Sequence, residues 1–322
     1  MKRILIIQNQ LPAYRKFLWV GLANLYTLYL AEAESDELIL PDGSITSFRN
    51  YKFNEVFDCL VLNGGIREFR KTIYYRCKYR SKSVLAWTQF VGKNKSLISR
   101  LIKSIYLILF FNRTLLYYDH EKRLIPFHFL RNKVVGLNNT VADCKNSAIS
   151  ISKNNSLLFI GRSTEKTRLT LLLEVAMYIE NIELHLIGVS KCEVSEKYHV
   201  GKFVFHGAIQ DIEKIEHLAR DCTYFVYPGD VGLSIVHAVK LGLIPVIHAN
   251  LDDHMPECRA VAETLPTIYF QKDEQLSLLN ILKILAQIKP NEALKKLISS
   301  QAQEKFSQKT MIQNFSNAIE GH

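Results

Sequence analysis

Three observations predict an α/β chain built as two doubly wound domains. Short β-branched and aromatic runs alternate with helical patterns along nearly the whole chain, which is the signature of parallel sheets covered by helices. The 322 residues are more than one ordinary domain needs. The alternation lapses once near the middle, between Asn138 and Ser156, into polar residues such as Lys145-Asn146-Ser147 and Ser152-Lys153-Asn154-Asn155. The expected domains are therefore residues 1–150 and 151–322, with the closing helix able to pack back on the first.

In the first half, strands are expected at Ile4–Ile7, Thr27–Ala31, Cys59–Leu62, Ser83–Trp87, Thr114–Tyr118 and Lys133–Leu137. The helical patterns between them cover Arg15–Leu25, Arg67–Lys78, Ser96–Phe111 and His120–Phe129. The second half repeats the scheme: strands at Leu157–Ile160, Glu183–Ile187, Phe203–Phe205, Tyr224–Tyr227 and Ile244–His248, with helices at Lys166–Glu180, Asp211–Ala219 and Leu233–Leu241. Three further helices, Gln275–Gln287, Asn291–Ser299 and Gln301–Ile319, close the chain. Two such domains are expected to face each other across a cleft lined by the carboxyl ends of both sheets, where folds of this kind bind ligands.

Composition narrows the class. With 48% hydrophobic and 22% charged residues, the chain is neither disordered nor fibrous. Its six cysteines lack C-x-x-C or metal-ligand spacing, which fits a reduced, cytoplasmic compartment. Ile4–Ile7 is too short for a secretory signal, and Leu97–Phe111, interrupted by Arg100 and Lys103, is too short to span a bilayer. Charge is uneven: residues 1–150 hold 23 Lys and Arg against 11 Asp and Glu, the remainder 18 against 20. The basic half implies an anionic partner. Within it, Arg67–Lys82 carries seven bases, one acid and four aromatics, a mixture suited to a membrane interface; the alternative is a solvated face over a core helix at Ser96–Phe111. No nucleic-acid motif accompanies the charge, so nucleic acid is not expected as a partner.

Two segments carry the candidate chemistry. In Leu157-Leu158-Phe159-Ile160-Gly161-Arg162-Ser163-Thr164-Glu165-Lys166-Thr167-Arg168, a buried strand ends in Gly161-Arg162 and two more bases follow. Cations at a strand's carboxyl end suit the oxygens of a diphosphate leaving group. In Tyr227-Pro228-Gly229-Asp230-Val231-Gly232-Leu233-Ser234, a strand turns into a helix through Gly229 and Gly232. Glycine there lets backbone approach a ligand, and the first amides at Gly232, Leu233 and Ser234 form an anion-binding end. Either segment alone also occurs for purely structural reasons. His248 and His254 lie near Asp252 and Asp253, but without the spacing of a metal site, and no metal is expected.

In order and spacing, the two segments together resemble the donor-binding domain of family 4 glycosyltransferases. There a strand ending in Gly-Arg precedes by some seventy residues a Gly-containing strand–turn–helix. His206-Gly207, His254-Met255-Pro256-Glu257 and Leu241-Gly242-Leu243-Ile244-Pro245-Val246 extend the resemblance. Leu11-Pro12-Ala13-Tyr14-Arg15 and Leu85-Ala86-Trp87-Thr88-Gln89 resemble the acceptor domain of short bacterial members. The resemblance implies a GT-B fold and a metal-independent, retaining transferase without cofactor. It would move a hexose or deoxyhexose from a nucleoside-diphosphate sugar to a saccharide or polyprenyl-linked acceptor in lipopolysaccharide or capsule assembly, in the cytoplasm or at the inner leaflet. It implies donor contacts from Gly161, Arg162, Lys166 or Arg168, Gly207, Gly229, Gly232, Leu233, Ser234 and His237, and acceptor contacts from Tyr14, Arg15, Trp87 and Gln89. The family's two glutamates across the turn are replaced by Gly229 and His237, which leaves Asp230 or Glu257 to supply the sugar-facing carboxylate. A sugar-nucleotide epimerase or hydrolase of the same fold, and a non-catalytic binding partner, are the alternatives.

Overall fold

A computed structural model describes residues 1–8, 15–32, 35–40, 42–47, 56–90, 96–144, 155–209, 211–288 and 291–321. They form two compact units, Met1–Asn139 with Gln308–His322, and Thr140–Ser307. The division falls at Asn139/Thr140 rather than near residue 150, and the closing helix belongs to the first unit. A buried cation sets that boundary. Lys240, 0% exposed, donates to Thr140 Oγ1 (3.2 Å), Val141 O (3.0 Å), Asp143 Oδ1 (2.6 Å) and Phe306 O (3.1 Å), stitching both ends of the second unit together. Lys240→Met should cost about 3 kcal/mol or more in urea unfolding, because Asp143 loses its counterion and three further oxygens each lose one of their hydrogen bonds.

The first unit holds β1 (Arg3–Ile7), α1 (Lys16–Ala23), β2 (Thr27–Glu32), β3 (Ser35–Ile39), β4 (Ile45–Ser47), β5 (Val56–Asn63), α2 (Phe69–Lys78), β6 (Arg80–Trp87), α3 (Leu97–Phe110), β7 (Arg113–Leu116), α4 (His128–Arg131) and β8 (Val134–Gly136). Its sheet runs β4-β3-β2-β1-β5-β6-β7-β8; β2–β3 and β3–β4 are antiparallel and the other pairs parallel. The antiparallel pair is an addition to the expected series. The expected helix His120–Phe129 is instead a 3-10 turn at Asp119–Leu124 and the short α4, because Pro126 can neither donate nor continue a helix.

The second unit holds β9 (Asn155–Ile160), α5 (Leu169–Met177), β10 (Ile182–Ile187), β11 (Phe203–Gly207), α6 (Ile212–Ala219), β12 (Cys222–Tyr227), α7 (Ser234–Lys240), β13 (Ile244–His248), α8 (Pro256–Ala262), β14 (Ile268–Phe270), α9 (Gln275–Leu285) and α10 (Glu292–Lys305). Its sheet, β11-β10-β9-β12-β13-β14, is parallel throughout and has the Rossmann order 3-2-1-4-5-6. Leu157, Leu158, Phe159, Phe225 and Val226 on the two central strands are buried, as strands covered on both faces require. α10 runs unbroken through the expected gap at residue 300, and α11 (Gln308–Glu320) returns to the first unit. There Tyr26 Oη and Ser316 Oγ lie 2.6 Å apart, and Phe315 meets Trp87 edge to face at 5.5 Å. Among the described residues no helix is long and apolar enough to cross a membrane, and all six cysteines are unpaired.

Candidate functional site

The strand order of the second unit reverses between β9 and β12, and the two loops singled out in the sequence follow those two strands. They touch. The Asp230 amide donates to Lys166 O at 3.2 Å, and a Cβ at Gly229 would overlap that carbonyl oxygen and come within 2.8 Å of Thr167 Cα. Only glycine permits this approach. Thr167 Oγ1 in turn donates to Arg162 O (2.9 Å) and Thr164 O (2.7 Å), which closes the basic loop on itself. Beneath both loops Tyr227 stacks on Phe159 (5.1 Å, 16°). Burial pushes the Tyr227 phenol up to about 12; Asp230 adds to the rise and Arg162 opposes it, so both charges lie near this ring.

The three bases of the loop have different fates. Arg168 pairs with Asp273 at 2.9 Å, and its backbone is left-handed (φ 52°), which ends a 3-10 turn at Glu165–Thr167 and delays α5 to Leu169. The expected helix start at Lys166 is thereby corrected. Arg162 and Lys166 are exposed, and among the described residues neither side chain is hydrogen-bonded or ion-paired. On the facing turn, the Asp230 and Val231 amides are bonded, to Lys166 O and to His254 Nδ1 (3.0 Å). The amides of Gly232, Leu233 and Ser234 make no hydrogen bond within the described residues. Two unengaged cations therefore belong to a loop that abuts a turn with three unengaged donors.

Behind the turn, Asp230 is held by Lys272 Nζ and His248 Nε2, each at 3.4 Å from Oδ1, while Lys272 also donates to Asp253 at 2.8 Å. Sequence reasoning missed Lys272, which lies beyond the motif. His248 and His254 stack at 3.8 Å. His254 donates from Nε2 to His248 O (3.0 Å) and accepts at Nδ1, so it is neutral and neither ring nitrogen is left for a metal. Burial pushes its pKa down to about 4, and that of His237 likewise. Both fall below the ordinary 6.5, so the folded state binds fewer protons between the two values and loses stability as pH falls from about 6.5 to 4. The thermal midpoint should drop between pH 7 and pH 5. His254→Gln, whose amide can both accept and donate, should drop less.

Several expected contacts are placed differently. His237 is buried with Nε2 sealed from solvent and unbonded, so it is a core residue of α7 rather than an open ribose contact. Glu257 is buried at the start of α8, whereas Asp230 is partly exposed in the turn. Gly207 ends β11 at φ 64°, and its carbonyl accepts from the Gly188 amide at 2.7 Å. Gly188, unnoticed in the sequence, passes so close to Gly161 that a Cβ there would lie 2.5 Å from the Gly161 oxygen. Gly161 and Gly207 thus belong to the strand-end frame around the loop.

In the first unit a cavity of about 650 Å³ opens at the carboxyl ends of β1, β5 and β6, where that sheet's order also reverses. Gln8, Arg15, Asn63, Trp87, Gln89 and Tyr117 line it. The Arg15 guanidinium sits 4.5 Å from the Trp87 ring centroid, a cation–π contact that fixes both. Three of the four expected acceptor-side residues are therefore together, and Tyr14 lies outside the described residues. Lys103, one of the two bases that interrupt Leu97–Phe111, does not reach the surface. It is buried under the cavity floor, donates to Gly64 O and to Thr88 Oγ1 (3.2 Å), and is pushed down to about 8 by burial. Glu121, also buried, accepts from Phe90 N (3.0 Å) and Tyr117 N (3.2 Å), so a buried acid and a buried base fix the loops that line the cavity.

No protein-family profile and no curated protein matches the chain. Solved structures do. A glycosyltransferase from Rickettsia africae ESF-5 aligns with TM-score 0.70 at 10% identity, over 99% of this chain and 98% of that one. HepE of Anabaena, in complex with UDP and glucose, aligns at 0.67 and 13% identity over the whole of both chains. The lipopolysaccharide outer core galactosyltransferase WaaB, in its apo form, aligns at 0.61 and 11% over 100% and 99%. With two Rossmann-like units that match such structures along their full length, the chain has the GT-B fold of glycosyltransferases.

Proposed function

We propose that the protein is a glycosyltransferase that moves a sugar from a nucleoside-diphosphate donor to a saccharide acceptor, on its own or lipid-linked, in the cytoplasmic assembly of a surface polysaccharide. The observation that carries this reading is the junction of the 161–168 loop with the 229–234 turn at the reversal point of a Rossmann sheet. A leaving diphosphate gains negative charge as its bond to the sugar breaks. Arg162 and Lys166 would meet that charge as point cations, and the amides of Gly232, Leu233 and Ser234 as fixed dipoles, in the role a divalent ion plays elsewhere. Arg168, paired to Asp273, stays outside. Likeness to structures that bear UDP and UDP-glucose supports the donor class.

The sugar-facing carboxylate is assigned to Asp230 over Glu257, since Asp230 is in the turn itself, where Lys272 Nζ at 3.4 Å orients it, whereas Glu257 is buried at the start of α8. Retention at the anomeric carbon follows from the family resemblance. The acceptor is assigned to the cavity of the first unit, where Gln89 replaces the histidine common in the family and can orient a hydroxyl but not deprotonate it.

The test is diphosphate release from UDP-, GDP- and TDP-sugars with and without an oligosaccharide acceptor. Release that requires the acceptor, with an α-linked product from an α-linked donor by NMR, is the expected result. Acceptor-independent release would establish the hydrolase or epimerase reading instead, and release from none of the donors would overturn transfer altogether.

A further inference from the structure

We propose that α2 and α3 form a docking surface for an anionic lipid bilayer. A helix on a water-facing surface turns its apolar stripe inward. α3 does the reverse along much of its length. Its buried side includes Lys103 and Ser104 as well as Tyr106 and Leu107, whereas Ile98, Ile102, Ile105 and Leu109, spaced i, i+4, i+7 and i+11 along one face, are 49% to 70% exposed. Leu97 beside them is 63% exposed.

α2 lies alongside. Phe69 meets Phe110 at 5.2 Å and Tyr106 at 6.2 Å, and Thr72 Oγ1 is 2.8 Å from Tyr106 Oη. α2 and the turn before it add Ile66, Phe69, Ile73 and Tyr74, all exposed. The charge around these side chains chooses the occupant. Arg67, Arg70 and Arg76 are exposed on α2 and its leading turn, and the segment's single acid, Glu68, is already paired with Lys71 at 3.2 Å. Bare aliphatic side chains framed by uncompensated cations match acyl chains beneath anionic headgroups; an apolar protein partner would not need the cations.

The surface adjoins the cavity, because Glu68, Lys71, Thr72 and Tyr75 of the same helical segment line it. Docking would bring its mouth to the bilayer, where an acceptor carried on a lipid resides; that consequence rests on the proposed transfer reaction, and the docking does not.

Sedimentation of the full chain with vesicles, in the absence of any substrate, tests the docking apart from the reaction. Binding is expected to phosphatidylcholine vesicles containing phosphatidylglycerol, to weaken with salt, and to be slight with phosphatidylcholine alone. Ile102→Asp with Leu109→Asp, and separately Arg67→Glu with Arg70→Glu, should each weaken it by about tenfold or more at an unchanged thermal midpoint. No binding to the anionic vesicles, or equal binding by the arginine variant, would overturn the proposal. So would a dimer in sedimentation velocity that the Ile102/Leu109 variant dissociates without any vesicle binding, which would make the face a contact between copies.

Discussion

Arg162→Ala should lower turnover by about a hundredfold or more and leave the thermal midpoint unchanged. The magnitude is that of removing one preorganised group from a developing anion. The stability expectation comes from position: Arg162 is exposed and, among the described residues, makes no hydrogen bond or ion pair, so its loss leaves no buried group unsatisfied. Its backbone carbonyl, which receives Thr167 Oγ1, survives the substitution. Arg168→Ala is the contrast. It gives up only an ion pair with Asp273 in which both side chains are half exposed, and turnover should change by no more than a few-fold. Steady-state kinetics on the two variants separates an electrostatic role for this loop from a merely basic one, since equal losses at 162 and 168 would argue for bulk charge.

Gly229→Val should have the larger structural effect, destabilising by about 3 kcal/mol in chemical denaturation and weakening UDP binding more than tenfold. Its side chain would meet the Lys166 carbonyl and Thr167 Cα, backbone atoms that cannot swing aside as a lysine tip can. The loop and the turn must part, breaking the Asp230-to-Lys166 bond and separating the cations from the amides. A valine variant as stable as the parent, by calorimetry, would mean that the close approach is not needed.

The second unit is more legible in the sequence than the first for a physical reason. Its central strands are largely buried on both faces and spell near-continuous apolar runs, Leu157–Ile160 and Tyr224–Tyr227, each followed by glycine or proline. β3 and β4 sit at the far edge of the first sheet, and β3 carries Asp36 and Glu37, so no apolar run announces it. The polar Ser299-Ser300-Gln301 reads as a break in the sequence, yet α10 runs through it because no Gly or Pro stops the helix there.

The site divides in the same way. Loop and turn were legible as a spaced pair of motifs, while the fate of each base was not. Arg168 adopts a left-handed backbone that arginine rarely takes, and its partner Asp273 lies far along the chain. The buried lysines escaped for a related reason: Lys103, Lys240 and Lys295 spend their charge on backbone oxygens gathered by the fold, Lys295 on those of Ala219, Arg220 and Cys222. A count of bases cannot tell such residues from surface cations, so the net charge of +10 overstates what is offered to a partner.

Calorimetric titration of the protein and of its Arg162→Ala/Lys166→Ala variant with UDP, GDP and TDP addresses the diphosphate grip directly. At least one nucleotide should bind the parent protein with a dissociation constant on the order of micromolar, and the double variant about a hundredfold more weakly. Equal affinity in the two proteins would contradict the account.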